Sequence, residues 1–361
     1  MHSRVLAPLP NGPASATVAD KTVSSGQVGV RSNRQDEGMT FTPPRADRAR
    51  FINRPSIAAL VAALGLIAAA CGNGSSSGEQ TAPASSSAPT STGAGDATNT
   101  DGGGQAAASA YTDCLTTNAD APVPEDLYAV SPLEPSTLIP GFDQQAQAYG
   151  ITFAVREGVP TDFVDQVIAT TGEMFSPNVS DPTTQQEIIR QLYRNNAVIP
   201  IYPLSNVEES EAFIETVDYA KVTICDVIYF GTDGQAMEVL EHLLHYITDV
   251  GFHPAGLDQW QLSETSPLNQ SARESTADGV YNHDYTHPRV TLQEFAYWLA
   301  SSHWDLQTQY GPNENEWTAT TPGLIADQVP SAQPLLTQLD TVLAPPSTAS
   351  MDALSSFEPS S

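Results

Sequence analysis

Basic residues are scarce in this chain, which has 14 Lys and Arg against 42 Asp and Glu among 361 residues and a formal net charge of −28. Charged residues make up only 16% of the chain, so the acidity comes from a shortage of bases rather than from dense acidic runs. Binding to nucleic acid or to an anionic membrane surface depends on Lys and Arg. The composition therefore argues against both partners.

Motifs for nucleotide and acyl-transfer chemistry are also missing. The sequence has no Gly-rich phosphate loop with Lys-Ser/Thr and no GxGxxG motif, and no Gly-x-Ser-x-Gly elbow occurs after residue 110. Those motifs supply the backbone cradle for phosphates or the exposed nucleophile of a hydrolase. The sequence gives no support for either class.

The few bases are concentrated before an apolar run. Eight of the 14 precede Cys71, and four arginines lead into residues 57–70, which end in Ala68-Ala69-Ala70. A basic region, a short apolar core and a small-residue cleavage site are typical of a secretory signal, and the run is short for a membrane span. We interpret residues 1–70 as an N-terminal extension and signal, with Met39 as a more natural start.

Cys71 follows this signal and is followed by Gly72, a site that resembles the lipobox of bacterial lipoproteins. The resemblance implies a lipid on Cys71 and a location outside the cytoplasm, anchored to the cell membrane. An ordinary cleaved signal and an uncleaved anchor are the alternatives. Residues 71–110 are rich in Gly, Ser, Ala and Thr and are predicted to be a disordered tether.

Residues 111–344 are predicted to form the folded domain, and residues 345–361 a disordered tail. In an oxidising compartment Cys114 and Cys225 could form a disulfide, and two buried thiols are the alternative.

The order of the predicted strands and helices indicates the fold class. Alternating and β-branched runs predict strands, 3.6-residue periodicity predicts helices, and their order predicts an α+β domain. The prolines Pro200 and Pro203 argue against an interior strand position. Predicted strands are 150–156, 197–204 and 221–230; predicted helices are 160–175, 181–195, 211–217, 235–253, 291–306 and 330–343; residues 254–289 are predicted to be mostly loops over the site.

One predicted helix, residues 235–253, carries the chemistry. Glu238, Glu241, His242, His245 and Asp249 fall on one face at helical spacing, opposite a leucine-rich face. Neutral imidazole and carboxylate oxygen are both ligands of zinc and of other divalent metals. All histidines except His2 lie between residues 242 and 303, a clustering that a metal or acid–base role would explain. Solvated Glu–His pairs on a helix surface are the alternative.

The sequence Glu241-His242-Leu243-Leu244-His245, followed by Glu294-Phe295-Ala296-Tyr297-Trp298, resembles the gluzincin class of zinc metallopeptidases. In that class a His-Glu-x-x-His helix supplies two zinc ligands and the water-activating Glu, and a later helix supplies a Glu ligand. The resemblance covers roughly residues 150–343. It implies a zincin-like fold, with a small mixed sheet packed on the signature helix and a helical C-terminal part.

Transferred residue by residue, Glu241 stands at the first ligand position, His245 at the second and Glu294 at the third. His242 stands at the position of the catalytic Glu, where it would face bound water and act as a base. The resemblance thus implies a site with two carboxylates and one imidazole for zinc or another divalent metal. Alternative ligand sets combine Glu238 and His242, or His242 and His245, with a loop residue: His283, Asp284 or His287.

Three functions follow from these observations. The first is a metal-dependent peptidase with an altered EHxxH site. The second is a zincin-like lipoprotein without catalysis that binds or scaffolds a peptide or protein ligand. The third is a lipoprotein that captures a solute or a metal. In all three the membrane is contacted through the lipid on Cys71.

Overall fold

The structure is a computed structural model that describes residues 110–116, 121–137, 139–218, 221–312 and 315–359. The predicted signal, the lipidation site at Cys71 and nearly all of the predicted tether lie outside the described residues. Within the described part of the chain, no helix combines the length and the apolar character needed to span a bilayer.

A five-stranded mixed sheet forms the first half of the domain. Its strands are β1 (Glu134–Pro135), β2 (Gln144–Ala148), β3 (Ile151–Val155), β4 (Ala197–Pro203) and β5 (Ile228–Phe230), and they lie in that order across the sheet. The pairs β1–β2 and β2–β3 are antiparallel, whereas β3–β4 and β4–β5 are parallel. Every residue of β3 is buried, which is typical of a strand covered on both faces.

Three helices connect the parallel strands. Helix α1 (Thr161–Met174) and helix α2 (Pro182–Arg194) lie between β3 and β4, and α3 (Val207–Thr216) follows a 3₁₀ turn at Leu204–Asn206. The side chain of Asp181 caps α2 by accepting a hydrogen bond from the Thr184 N–H at 3.0 Å. The predicted strand 150–156 and the predicted helices in this half are confirmed with boundaries shifted by a few residues at most.

The second half is helical. It contains α4 (Gln235–Tyr246), which continues as a π-helical segment at Ile247–Phe252, a 3₁₀ turn at Asp258–Trp260 and α5 (Pro267–Ala277). Then follow α6 (Pro288–His303), α7 (Gln307–Tyr310), α8 (Pro322–Gln328), a 3₁₀ turn at Pro330–Ala332, α9 (Gln333–Val342) and α10 (Thr348–Ser355). Mixed sheet and helices together confirm the α+β class in general terms.

One strand prediction and one inference about the position of a strand need correction. Residues 221–230 form a strand only at Ile228–Phe230, because the Cys225 and Asp226 N–H groups donate to the Tyr246 hydroxyl instead of to a neighbouring strand. Strand β4 lies inside the sheet despite its prolines. Its ladder to β5 covers only Ile201–Pro203, so Pro200 lies outside that ladder.

Two predicted irregular segments contain helices. Helix α5 lies within the predicted loop 254–289, where Ser266 caps it by accepting from the Asn269 N–H at 3.2 Å. The predicted disordered tail contains α10, whose Met351 and Leu354 are fully buried. Beyond it Phe357 contacts Phe163 edge-to-face at a centroid distance of 5.3 Å. These apolar contacts offset the entropy of ordering a short polar segment.

Candidate metal centre

A tight turn fixes the start of α4 against the last strand of the sheet. Gly234 precedes the helix with a φ of +75°, a conformation that residues with a Cβ rarely adopt. The Gln235 side chain accepts from the Gly231 N–H at 2.6 Å and donates to the Tyr229 carbonyl at 3.0 Å. The helix is thereby held to β5 at its first residue, which sets where its carboxylates and histidines lie.

The two motif-bearing helices contact each other in the core. Leu240, Leu243 and Leu244 of α4 and Phe295 and Leu299 of α6 are fully buried. One ligand atom from each of Glu241, His245 and Glu294 lies within 4.8 Å of the others. The structure thus brings together the ligand set transferred from the sequence resemblance.

The spacing of these atoms is compatible with a small cation. The His245 Nε2 atom lies 3.8 Å from Glu294 Oε2. Ligand atoms held about 2.0–2.2 Å from a tetrahedral zinc are roughly 3.4 Å apart, so small side-chain rotations would complete the contact. Glu294 is almost fully buried, whereas Glu241 is partly exposed, so the group opens toward solvent on the Glu241 side.

The orientation of His245 is fixed by Asp226, a residue in the loop before β5. The Nδ1 atom of His245 lies 2.6 Å from Asp226 Oδ2. Burial would raise the pKa of Asp226, but the charge of His242 and hydrogen bonds from His242 and His245 hold that pKa well below its usual range. An ionised carboxylate only accepts hydrogen bonds, so the proton of the imidazole is on Nδ1.

The other ring nitrogen of His245 carries the lone pair. His245 is 0% exposed, and among the described residues its Nε2 atom has no hydrogen-bond partner. Burial lowers the pKa of His245 to about 4, although Asp226 opposes that shift. The imidazole is therefore neutral near pH 7, which is the form that binds a metal. A carboxylate on one nitrogen and a metal on the other is a common arrangement for ligating histidines.

The two carboxylates of the group repel each other in a buried site. Burial raises the pKa of Glu241 to about 8; the charge of His242 opposes this shift, and the charges of Glu238 and Asp226 add to it. Burial and repulsion from Glu241 raise the pKa of Glu294 well above its ordinary value. A divalent cation between them would offset this repulsion. The donor set and its electrostatics therefore fit a metal such as zinc.

The structure places His242 away from the position expected of a catalytic base. Its Nδ1 donates to the Glu238 carbonyl at 2.5 Å, and its Nε2 lies 3.2 Å from Asp226 Oδ1. The ring is 1% exposed and does not line the pocket beside Glu241. Because successive helical residues are rotated by about 100°, the residue after Glu241 faces Asp226 instead of the ligand side.

The alternative ligands are also placed apart from the group. Glu238 lines the pocket but accepts the Tyr229 N–H at 2.9 Å. The His283 ring stacks on Tyr285 at a centroid distance of 5.6 Å, and His287 Nε2 lies 3.0 Å from Asp113 Oδ2. Among the described residues none of the three joins the cluster of Glu241, His245 and Glu294. Asp249, on the same predicted face, lies in the π-helical segment beyond it.

A small acidic cavity of about 130 Å³ adjoins the candidate site. It is lined by the carboxylates of Glu238, Glu241, Glu294 and Glu316 and by aromatic residues that include Trp298. Glu316 accepts hydrogen bonds from Trp298 Nε1 at 3.2 Å and from the Tyr285 hydroxyl at 3.3 Å. The volume accommodates several water molecules or one small ligand group.

Several residues of the site were not identified from the sequence. Asp226 lies in a run that is predicted to be a strand. A carboxylate among apolar residues is the sequence feature that could have identified it. Gln293, directly before Glu294, donates to Asp226 Oδ2 at 2.9 Å. Glu316 occurs in a polar segment without a motif.

The two cysteines of the domain form a disulfide beside the site. Cys114 and Cys225 are bonded with their Cα atoms 5.2 Å apart. Cys225 directly precedes Asp226 in the chain. The covalent link therefore anchors the loop that carries the partner of His245.

Comparison with protein-family models, with curated proteins and with solved structures gave no match to this chain. The likeness to the gluzincin class therefore depends on the two motifs and on the geometry of the side chains they contribute. The zincin-like fold stays a prediction, whereas the buried group of Glu241, His245 and Glu294 is a structural finding.

Proposed function

We propose that this chain is a cell-surface lipoprotein whose zincin-like domain binds a divalent metal, zinc foremost, through Glu241, His245 and Glu294. In this proposal the metal centre serves binding or scaffolding of a peptide or protein ligand. The observation that carries the proposal is the buried Nε2 atom of His245, which lies 3.8 Å from Glu294 and has no hydrogen-bond partner within the described part of the chain.

A binding role is favoured over hydrolysis by two features of the site. Residue 242, which holds the water-activating Glu in the gluzincin class, is here a histidine engaged with Glu238 and Asp226. A metal held by two carboxylates and one imidazole is also a weaker Lewis acid than one held by two imidazoles. When bound, the metal would supply a coordination position for a carbonyl or carboxylate oxygen of a ligand.

The cellular location of the protein is proposed from the sequence. The basic region, the apolar run and the lipobox-like Ala68-Ala69-Ala70-Cys71 support export and lipidation. The paired Cys114 and Cys225 are compatible with an oxidising compartment. A lipid on Cys71 followed by the tether would hold the domain at a distance from the membrane.

A second candidate, a metal-dependent peptidase, is favoured by the cavity. Glu316 lines it together with the ligand carboxylates of Glu241 and Glu294. A carboxylate in that position could accept a proton from an attacking water, a role that His242 does not reach. Its hydrogen bonds from Trp298 and Tyr285 would hold it in place for such a role.

The test of metal binding is the metal content of the purified full-length protein after zinc loading and dialysis. We expect one zinc per chain for the unmodified protein and loss of it in Glu241→Gln and Glu294→Gln. Exposed Glu358→Gln, a matched change of the same kind, should keep the metal. An unmodified protein that is folded but retains no zinc would refute the proposed function.

Binding and hydrolysis are separated by incubating the zinc-loaded protein with a peptide library and analysing the products by mass spectrometry. The binding role predicts no cleavage. Cleavage that is lost in both Glu294→Gln and Glu316→Gln, with zinc retained in the latter, would establish the peptidase instead.

A further inference from the structure

The Cys114–Cys225 disulfide joins two short segments, and the residues next to each cysteine belong to one polar network. Asp113 precedes Cys114, and Asp226 follows Cys225. The two cysteines are 111 residues apart in sequence. A covalent path therefore links Asp113 to the carboxylate that orients His245.

A second path between the same two residues consists of hydrogen bonds. The Arg289 guanidinium donates from Nε to Asp113 Oδ1 at 2.8 Å and from Nη1 to Gln293 Oε1. Gln293 then donates from Nε2 to Asp226 Oδ2 at 2.9 Å. Gln293 is 0% exposed, so each of its polar atoms depends on these partners.

The two paths form a closed ring, and the ring ends on His245. Asp226 Oδ2 accepts from both Gln293 and His245 Nδ1. Arg289 and Gln293 are one helical turn apart on α6 and point toward the same side. Glu294, a candidate ligand, follows Gln293 directly, so the same helix carries a ligand and the support for another ligand.

We propose that Arg289 and Gln293, together with the Cys114–Cys225 disulfide, position His245 for metal binding by holding Asp226. The proposal rests on the metal site proposed above. None of these four residues is a proposed metal ligand. Arg289 and the two cysteines act through Asp226, whereas Gln293 acts through Asp226 and also lies against the imidazole itself, with its Nε2 atom 2.8 Å from His245 Nδ1. The ring fixes Asp226 from its backbone side through the disulfide and from its carboxylate side through Gln293.

The physical basis is the orientation of a buried imidazole. Loss of Gln293 leaves Asp226 Oδ2 with one donor fewer and leaves the Arg289 guanidinium without an acceptor at Gln293. Loss of the disulfide removes the covalent link between the loop before β5 and the segment at Cys114, and leaves the N–H groups of Cys225 and Asp226 bonded to the Tyr246 hydroxyl. Removal of partners of this kind from ligating histidines costs about 10- to 100-fold in metal affinity.

The test measures zinc affinity of the full-length protein by competition with a chromophoric chelator, alongside the melting temperature of each variant without metal. The variants are Gln293→Leu, Arg289→Met, Arg289→Lys and the double change Cys114→Ser/Cys225→Ser. Gln185→Leu is the matched control, because Gln185 is also 0% exposed and bonds the Ser176 and Val342 carbonyls in another part of the domain.

We expect Gln293→Leu to weaken zinc binding by about 10- to 100-fold. The double Ser variant and Arg289→Met should also weaken zinc binding, and Arg289→Lys should bind zinc more tightly than Arg289→Met. Gln185→Leu should lower the melting temperature without changing zinc affinity. The visible spectrum of the cobalt-substituted protein should change in the three weakened variants, because it reports ligand geometry.

Unchanged zinc affinity in Gln293→Leu and in the double Ser variant, with zinc bound by the unmodified protein, would overturn the inference and leave the metal site standing. An equal loss in Gln185→Leu would also overturn it, because the effect would then follow general destabilisation. If Gln293→Leu does not fold, the zinc affinities of Arg289→Met and Arg289→Lys take its place. Unchanged affinity in Arg289→Met would then overturn the inference.

Discussion

The Nε2 atom of His245 lies 3.8 Å from the Oε2 atom of Glu294, and the two residues come from helices that are far apart in sequence. Both side chains are almost completely buried. A neutral imidazole and a carboxyl group brought together in the core, with Glu241 beside them, form a site whose electrostatics favour an added cation.

The stability of the metal-free protein should fall as the pH rises toward about 8. The folded-state pKa of Glu241 is raised to about 8 from its ordinary value of 4.5, so the folded state binds more protons than the unfolded state between these values. The contribution of Glu241 is fully present below its unfolded pKa and is lost as the pH passes its folded pKa. Thermal melts with a chelator across this range measure the fall.

Glu241→Gln is the control for that measurement, since an amide does not titrate. Its melting temperature should depend less on pH than that of the unmodified protein in the upper part of the range. Zinc should also reduce the pH dependence, because the cation stabilises the ionised carboxylates. A metal-free unmodified protein that is more stable near pH 8 than near pH 6, relative to the variant, would contradict the raised pKa.

Removal of His242 should destabilise the fold more than it affects the metal. The pKa of His242 is raised well above its usual value, because Asp226 and Glu238 attract its proton more strongly than burial disfavours it. His242→Ala leaves the Asp226 charge without this partner, and breaking a buried pair costs about 3–5 kcal/mol. Chemical denaturation of the zinc-loaded variant and its metal content measure the two effects.

A different result is expected if His242 is catalytic. If His242 were a catalytic base facing a water, His242→Ala would abolish peptide cleavage with little change in the free energy of unfolding. His303→Ala is the matched control, because His303 is paired with Asp340 at 2.9 Å on the exposed surface and should have a small effect.

Helix α10 should contribute to the stability of the domain. Met351 is 0% exposed, so Met351→Ala should lower the free energy of unfolding by about 2–5 kcal/mol, as for other buried large-to-small changes. Urea denaturation measures the change, with exposed Glu358→Gln as the control. A loss below about 0.5 kcal/mol, the usual size of a surface substitution, would show that the segment is not packed on the core.

Much of the candidate site could be predicted from the sequence because its ligands lie on regular helices. The spacing of Glu241 and His245 by four residues places them on one face of α4 whatever surrounds it. Glu294 is predictable because the EFAYW motif follows the EHxxH motif in the order that the gluzincin class shows. Local periodicity and motif order were sufficient for these three residues.

The orientation of the remaining residues depends on contacts distant in sequence, which no local pattern encodes. Asp226 reaches His245 because Tyr246 takes the N–H groups of Cys225 and Asp226 and ends the expected strand early. His242 lies 3.2 Å from the same Asp226 carboxylate, so its role could not be predicted from its position in the motif. The composition of residues 345–361 predicts disorder, but capping by Ser347 and the burial of Met351 and Leu354 make part of this segment the helix α10.

The most direct test of the metal centre is X-ray absorption at the zinc edge of the zinc-loaded full-length protein. The proposed site predicts one imidazole in the first shell, with oxygen ligands at about 2.0–2.2 Å and no sulfur. The imidazole contribution should disappear in His245→Ala even where zinc is forced on at high concentration. Two or more imidazoles in the unmodified protein, or an imidazole that persists in His245→Ala, would contradict the ligand set of Glu241, His245 and Glu294.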